Sequence, residues 1–193
     1  MDGFEWFYRP GMSAGFIPTN DGQVCVWIGL PTLTSGMMRS LDRTFTDTLD
    51  RAAPEARERL ARAERVGRLF AFPGEVGYQR QPCGPGWALV GDASHFKDPL
   101  STHGITDALR DAEFLADAIC EAGAGPASEA AAFRTYHATR NHLSDGLFRA
   151  TDALAGYDWH ISEVPGLLKG LAAAMKEELD VLAQRDWHGR HAA

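Results

Sequence analysis

Basic side chains are in short supply in this sequence: 19 Lys and Arg face 26 Asp and Glu, leaving a formal net charge of -7. Such a chain offers no broad cationic surface to a phosphate backbone, so nucleic acid is not an expected partner. Cysteine is scarcer still. Cys25, Cys83 and Cys120 are odd in number, far apart and without a C-x-x-C pair, which argues against a disulfide framework and gives no zinc signature. The seven histidines show no H-E-x-x-H or comparable spacing, so no metal site is expected. Also missing is any run of about 18 apolar residues. The opening Met1-Asp2-Gly3-Phe4-Glu5-Trp6 is acidic and aromatic, not a basic stretch followed by an apolar one. The expectation is a cytoplasmic protein, neither exported nor membrane-spanning. What the chain does have is bulk: 193 residues, 45% hydrophobic and 23% charged, enough to bury a core in one or two units.

Along the chain, the residues from Phe4 to Leu30 are rich in aromatic and β-branched types, broken at Arg9-Pro10-Gly11 and at Thr19-Asn20-Asp21-Gly22. The second break is a hairpin signal, because Asn, Asp and Gly tolerate positive φ. After it, alternation puts Val24, Val26 and Ile28 on one strand face and Cys25 and Trp27 on the other. The period then changes. Met38, Leu41, Phe45 and Leu49 form a helical stripe, and Pro54-Glu55 restarts a helix that should end near Gly67. Arg68 to Phe72 reads as a short strand, Tyr78 to Pro82 as another extended piece, and Trp87 to Val90 as a buried strand behind the Gly84-Pro85-Gly86 loop. From Gly104 a long helix is predicted, with Ile105, Ala108, Leu109, Ala112, Leu115, Ala116 and Ile119 as an apolar stripe small enough to approach a sheet closely. Two further helices follow the break at Gly123 to Pro126. Phe133, Tyr136, Leu143, Leu147 and Leu154 mark the first; Val164, Leu167, Leu168, Leu171, Met175, Leu179 and Leu182 mark the second. These stripes predict a bundle packed on the rest of the chain or on another subunit, because no Lys and Arg enrichment suggests a membrane surface.

The stretch that carries chemistry is Trp87 to Ile119: a strand, Gly91-Asp92, a proline-bearing loop, then Gly104 and a helix. In open α/β sheets, ligands sit beyond the carboxyl ends of strands. Asp92 would stand there with its carboxylate free to accept hydrogen bonds from sugar-like hydroxyls. The first turn of the helix presents unpaired backbone N–H groups and the positive end of its dipole, which favours an anionic or electron-rich atom. Pro99 fixes φ and gives the loop a rigid wall for a planar ring.

Gly91-Asp92-Ala93-Ser94-His95, then Asp98-Pro99, Gly104, Ala108 and Asp111-Ala112, resemble in order and spacing the second flavin motif of class A flavoprotein monooxygenases. These are the FAD-dependent oxidoreductases of the para-hydroxybenzoate hydroxylase type. The resemblance implies that Asp92 binds the ribitol of FAD, that Gly91 permits the tight turn before it, and that Pro99 lies beside the isoalloxazine. It also implies that the N–H groups around Gly104, Ile105 and Thr106 face the pyrimidine edge of the flavin, where reduction leaves negative charge. Fainter likeness reaches upstream to Phe4, through the Pro-Thr-Asn-Asp-Gly turn to Arg80 and Pro82. The implied fold class is α+β or α/β, a partial FAD fold. Residues 1–82 would be part of a substrate-type β-sheet domain, 83–122 the second half of the FAD-binding domain, and 123–193 a helical region.

The family's opening G-x-G-x-x-G and its middle Asp-Gly motif do not occur here, and Met1 falls inside the expected substrate domain. The expectation is therefore a truncated product, an internal start or one half of a split enzyme, inactive alone and completed by a second chain or a homodimer. Thr102 departs from the glycine that many relatives carry. Implied activities are monooxygenation of a small organic substrate with FAD, NAD(P)H and oxygen, or, in other relatives, halogenation or isoprenoid reduction. The alternative from another class is a noncatalytic remnant or interaction module. Other candidates have plainer readings: Asp92 alone is an ordinary turn residue, His95 a packed structural ring, His103 an exposed loop residue, and Arg80 a solvated arginine. The aromatic residues Trp6, Phe7, Tyr8, Phe16 and Trp27 read as sheet packing before they read as a substrate pocket.

Overall fold

The computed structural model describes residues 3–123 and 125–185. The chain forms two units, Met1–Glu75 with Ala155–Val164, and Val76–Leu154 with Pro165–Ala193. No helix among the described residues is long and apolar enough to cross a membrane.

The first unit is built on an antiparallel sheet of β1 (Glu5–Arg9), β2 (Met12–Pro18) and β3 (Val24–Gly29), in that order. Both breaks read from the sequence are the turns between these strands: Gly11 supplies φ +72°, and Asp21 and Gly22 take φ of 55° and 70°. Alternation sorts the two faces as expected. Met12, Ala14 and Phe16 of β2 are buried, with Phe7, Val26 and Ile28 packed against them. Over them lies α2 (Leu41–Ala52), which contributes Leu49 and Ala52 to the same core and follows the one-turn α1 (Ser35–Arg39). On the opposite face, the Trp27 indole lies over Gly15, where any Cβ would collide with it, and the Tyr157 hydroxyl meets Ser13 Oγ at 2.5 Å.

Two expectations need correction in this unit. The helix restarted at Pro54 is one 3-10 turn followed by α3 (Arg57–Ala61), and it stops well short of Gly67. Arg68 to Phe72 is not a strand. It lies outside the three described sheets, and the Phe70 ring is 80% exposed with the Arg68 guanidinium stacked on it. A β-rich segment cannot be a strand without a neighbouring edge to complete its hydrogen bonds.

The second unit is mainly helical. Short strands β4 (Tyr78–Gln79) and β7 (His95–Phe96) pair, as do β5 (Cys83–Gly84) and β6 (Trp87–Ala88). Around them run α4 (Gly104–Glu121), α5 (Pro126–Ala155) and α6 (Val164–Ala183). The predicted stripe of α5 is the buried one: Phe133, Tyr136, Leu143, Leu147 and Leu154 all face inward. Trp87 to Val90 is a correction. Among the described sheets only Trp87 and Ala88 pair, with β5; the Leu89 amide donates to the Pro82 carbonyl at 2.7 Å, and Trp87 is 45% exposed.

The main correction concerns α4. Of the predicted stripe, Ile105, Leu109 and Ile119 are 81%, 70% and 58% exposed and Ala112 and Ala116 are exposed too, while Ala108 and Leu115 are half-buried. The buried residues are Asp107, Arg110, Asp111, Phe114 and Ala118. Both stripes obey the helical period, so periodicity alone could not say which one faces the core.

Candidate ligand-binding site

The site is assembled from the turn after β6, the loop to α4, and the first turn of α4. Gly91 opens the 3-10 turn Gly91–Ala93 with φ +52°, and an added Cβ would lie 2.8 Å from the Ala108 methyl. Glycine is required there for two reasons: the left-handed backbone and the close approach of turn to helix. The Gly91 amide donates to Asp111 Oδ2 at 3.2 Å, and the Asp92 carbonyl accepts from the Tyr78 hydroxyl at 2.7 Å. With its backbone tied on both sides, Asp92 turns an exposed carboxylate outward, its Oδ1 3.8 Å from the Cβ position of Gly104 at the helix start.

The remainder of the loop is equally determined. Asp98 caps the 3-10 turn Pro99–Ser101 by accepting from the Leu100 amide at 2.8 Å, which leaves Pro99 on the outside. Thr102 then adopts φ +53°, the left-handed region that suits the glycine it departs from. His103 precedes α4 without a side-chain cap, so the exposed first turn at Ile105 and Thr106 keeps its positive dipole end open. All six sequence candidates, Gly91, Asp92, Pro99, Gly104, Ile105 and Thr106, therefore belong to one turn, loop and helix start. The donor set suits a flavin, with a carboxylate for hydroxyls, a helix amino end for an electron-rich edge, and a proline wall.

Behind this surface lies a charged network that the sequence reading missed. Arg110, almost wholly buried, binds Asp111 Oδ1 at 2.8 Å, Glu178 Oε1 at 2.8 Å, Asp107 Oδ1 at 3.0 Å and Ser144 Oγ at 2.8 Å. Lys97 pairs with Asp107, and Arg140 donates to Ser94 Oγ at 2.7 Å while its Nε lies 3.9 Å from Asp111. Burial lowers the Lys97 ammonium to about 8, with Arg110 adding to the fall. Burial also pulls Glu178 towards neutrality, but the hydrogen bonds and positive charge of His103 and Arg110 outweigh it and hold that carboxyl below its ordinary value. The only available signal was the helical spacing of Asp107, Arg110 and Asp111.

His95 and His103 divide. His95 is buried against Phe148 at 5.4 Å, and burial, reinforced by Lys97, Arg140 and Arg110, lowers it to about 3. His103 is not an exposed loop residue: its Nε2 meets Glu178 Oε2 at 2.5 Å. Arg80 is exposed, stacked on Tyr78 at 4.1 Å. Among the described residues, His103, Asp107 and Glu178 place ligand-type atoms within 4.8 Å of one another. Lys97 and Arg110 already hold those carboxylates, so two cations stand where a metal would have to bind.

No family model matches the sequence. Against the solved structures, the chain superposes on a triple mutant of the flavin-dependent brominase Bmp2 with a TM-score of 0.62 at 18% identity, over 94% of this chain and 50% of that one. The fold is thus that of a flavin-dependent enzyme, carried in half. Over 75 residues the chain is 35% identical to the 1H-pyrrole-2-carbonyl-[peptidyl-carrier protein] brominase of Pseudoalteromonas luteoviolacea, covering 38% of this chain and 18% of that protein. Both findings bear out the resemblance to FAD-dependent oxidoreductases, with the chain spanning about half or less of each relative.

Proposed function

We propose that this chain carries the isoalloxazine and ribityl side of an FAD-dependent oxidoreductase acting on a small organic substrate. The observation that carries the reading is the convergence of the exposed Asp92 carboxylate, the Pro99 wall and the uncapped start of α4 on one surface. In this reading Asp92 accepts from the ribityl hydroxyls. Gly91 lets the chain turn there, Pro99 lies against the ring, and the amides of Gly104, Ile105 and Thr106 stabilise the charge that builds up on reduction. Bound FAD would supply the redox chemistry, with NAD(P)H as the proposed reductant. Residues 1–82 would carry the substrate-side sheet, 83–122 the flavin side, and 123–193 its helical support. The two similar proteins are brominases, so halogen transfer stands beside hydroxylation as the reaction this site serves.

The exposed stripe of α4 supports a completing partner. Ile105, Leu109, Ala112, Ala116 and Ile119 recur at intervals of four and three along one outward face, and half of the brominase structure has no counterpart in this chain. We infer that the other half of the fold, in the same polypeptide or in a second one, covers this face. An apolar helix face of this length is otherwise costly to leave in water.

The test is a visible absorption titration of the purified chain with FAD. A stoichiometric yellow complex, weakened about tenfold or more in Asp92→Ala, is the expected result for a charge-assisted contact. Wild-type binding with unchanged affinity in Asp92→Ala would remove Asp92 from the site. The absence of any complex at high FAD would favour a noncatalytic module.

A further inference from the structure

The buried charges beneath the loop do more than fill space. Three cations, Lys97, Arg110 and Arg140, face three carboxylates, Asp107, Asp111 and Glu178, in a volume that an aliphatic core could have filled more cheaply. Each loop contact of this network falls beside a predicted flavin contact. The Gly91 amide, next to Asp92, is held by Asp111. Ser94 is held by Arg140. Lys97, two residues before Pro99, is held by Asp107 in the first turn of α4, and His103, next to Gly104, is held by Glu178 of α6.

We propose that Lys97 is the positioning residue of the ligand loop: paired with Asp107, its ammonium fastens the Pro99 wall to the start of α4 and so sets the spacing of the two surfaces that receive the flavin. Lys97 itself is buried and touches no ligand; it acts through Pro99 and Gly104. The inference rests on the flavin reading for what is received, but not for the fastening. The geometry fits a clamp better than a packing filler, because the same Asp107 carboxylate is shared with Arg110 at 3.0 Å, which keeps it in place whether or not the loop is docked. Opposite charge on the two partners also makes the pairing selective, as an apolar contact would not be.

The experiment compares Lys97→Met, Asp107→Asn and the double variant by thermal unfolding, amide hydrogen exchange across residues 92–106 and FAD titration. Lys97→Met leaves Asp107 short of a partner and is expected to lower the melting temperature, to speed exchange in residues 96–106 by about tenfold, and to weaken FAD by a similar factor, since small misplacements of a binding surface are costly. The double variant removes one cation and one anion together. Its melting temperature should recover much of the loss, while loop exchange stays fast and FAD stays weak. Recovery of all three readouts would overturn the proposal, since Lys97 would then only balance charge. Exchange unchanged in Lys97→Met would overturn it as well. Should Lys97→Met fail to fold, the double variant alone decides, by its loop exchange against wild type. A wild-type chain that binds no FAD defeats the flavin reading and leaves the exchange data to judge the clamp.

Discussion

The two units of this chain solve the burial problem in opposite ways. In the first, apolar side chains are inside, with Met12, Ala14, Phe16 and Leu49 in one cluster, and the charges are outside, as in the Arg59–Glu5 pair at 2.8 Å. In the second, α4 buries Asp107, Arg110 and Asp111 beside Phe114 and Ala118 and leaves Ile105, Leu109 and Ile119 exposed. The first unit follows from its own sequence pattern, whereas the exposed face of α4 fits the proposal that a further surface covers it. An inverted stripe is costly for a lone helix and ordinary for one sandwiched between two layers.

The comparison is sharpest when one substitution is made in both units. Arg110→Leu strips Asp107, Asp111 and Glu178 of their shared partner and should cost about 3–5 kcal/mol in urea unfolding. Arg59→Leu breaks only the exposed pair with Glu5 and should cost no more than about 1 kcal/mol. Similar losses for both would mean that the charged core of the second unit is looser than its distances indicate.

A smaller effect is expected from His95. Folded, its ring resists protonation until about pH 3, whereas an unfolded histidine takes up a proton near 6.5. The folded value is the lower one, so stability is lost as pH falls from 6.5 towards 3, by several kcal/mol in total. His95→Phe should flatten that part of the stability curve, followed by circular dichroism. A variant with undiminished acid sensitivity would place its source in other groups than His95.

The smallest effect on stability belongs to the outward face. Leu109→Ser should change unfolding by no more than about 0.5 kcal/mol, as at other solvated positions. It should also lower self-association in light scattering. A loss of a few kcal/mol would show that Leu109 is already covered in this chain.

The sequence made the first unit legible because a single sheet face alternates, and because its turns carry residues suited to positive φ at Gly11, Asp21 and Gly22. The candidate loop was legible for a different reason: Gly91 takes φ +52° against Ala108 and Pro99 opens a 3-10 turn, backbone tasks that few residue types can perform, and their order with Asp92 and Gly104 resembles a known motif. The segments that misled were those whose pairing local composition does not decide. Arg68 to Phe72 has strand composition but lies in no described sheet, and of Trp87 to Val90 only Trp87 and Ala88 join β5. The charged network was hidden because Lys97, Arg110, Arg140 and Glu178 meet from a loop and three helices, a coincidence that no local window contains.

We propose that the described residues hold the ring and ribityl side of a flavin. Titration of the purified chain with riboflavin and with FAD, side by side, tests it most directly. The account predicts affinities equal to within about threefold, since the added nucleotide should contribute less than about 1 kcal/mol, and both weakened by Asp92→Ala. Tight FAD binding with no measurable riboflavin binding would contradict it, by placing recognition on the part of the cofactor that these residues are not proposed to touch.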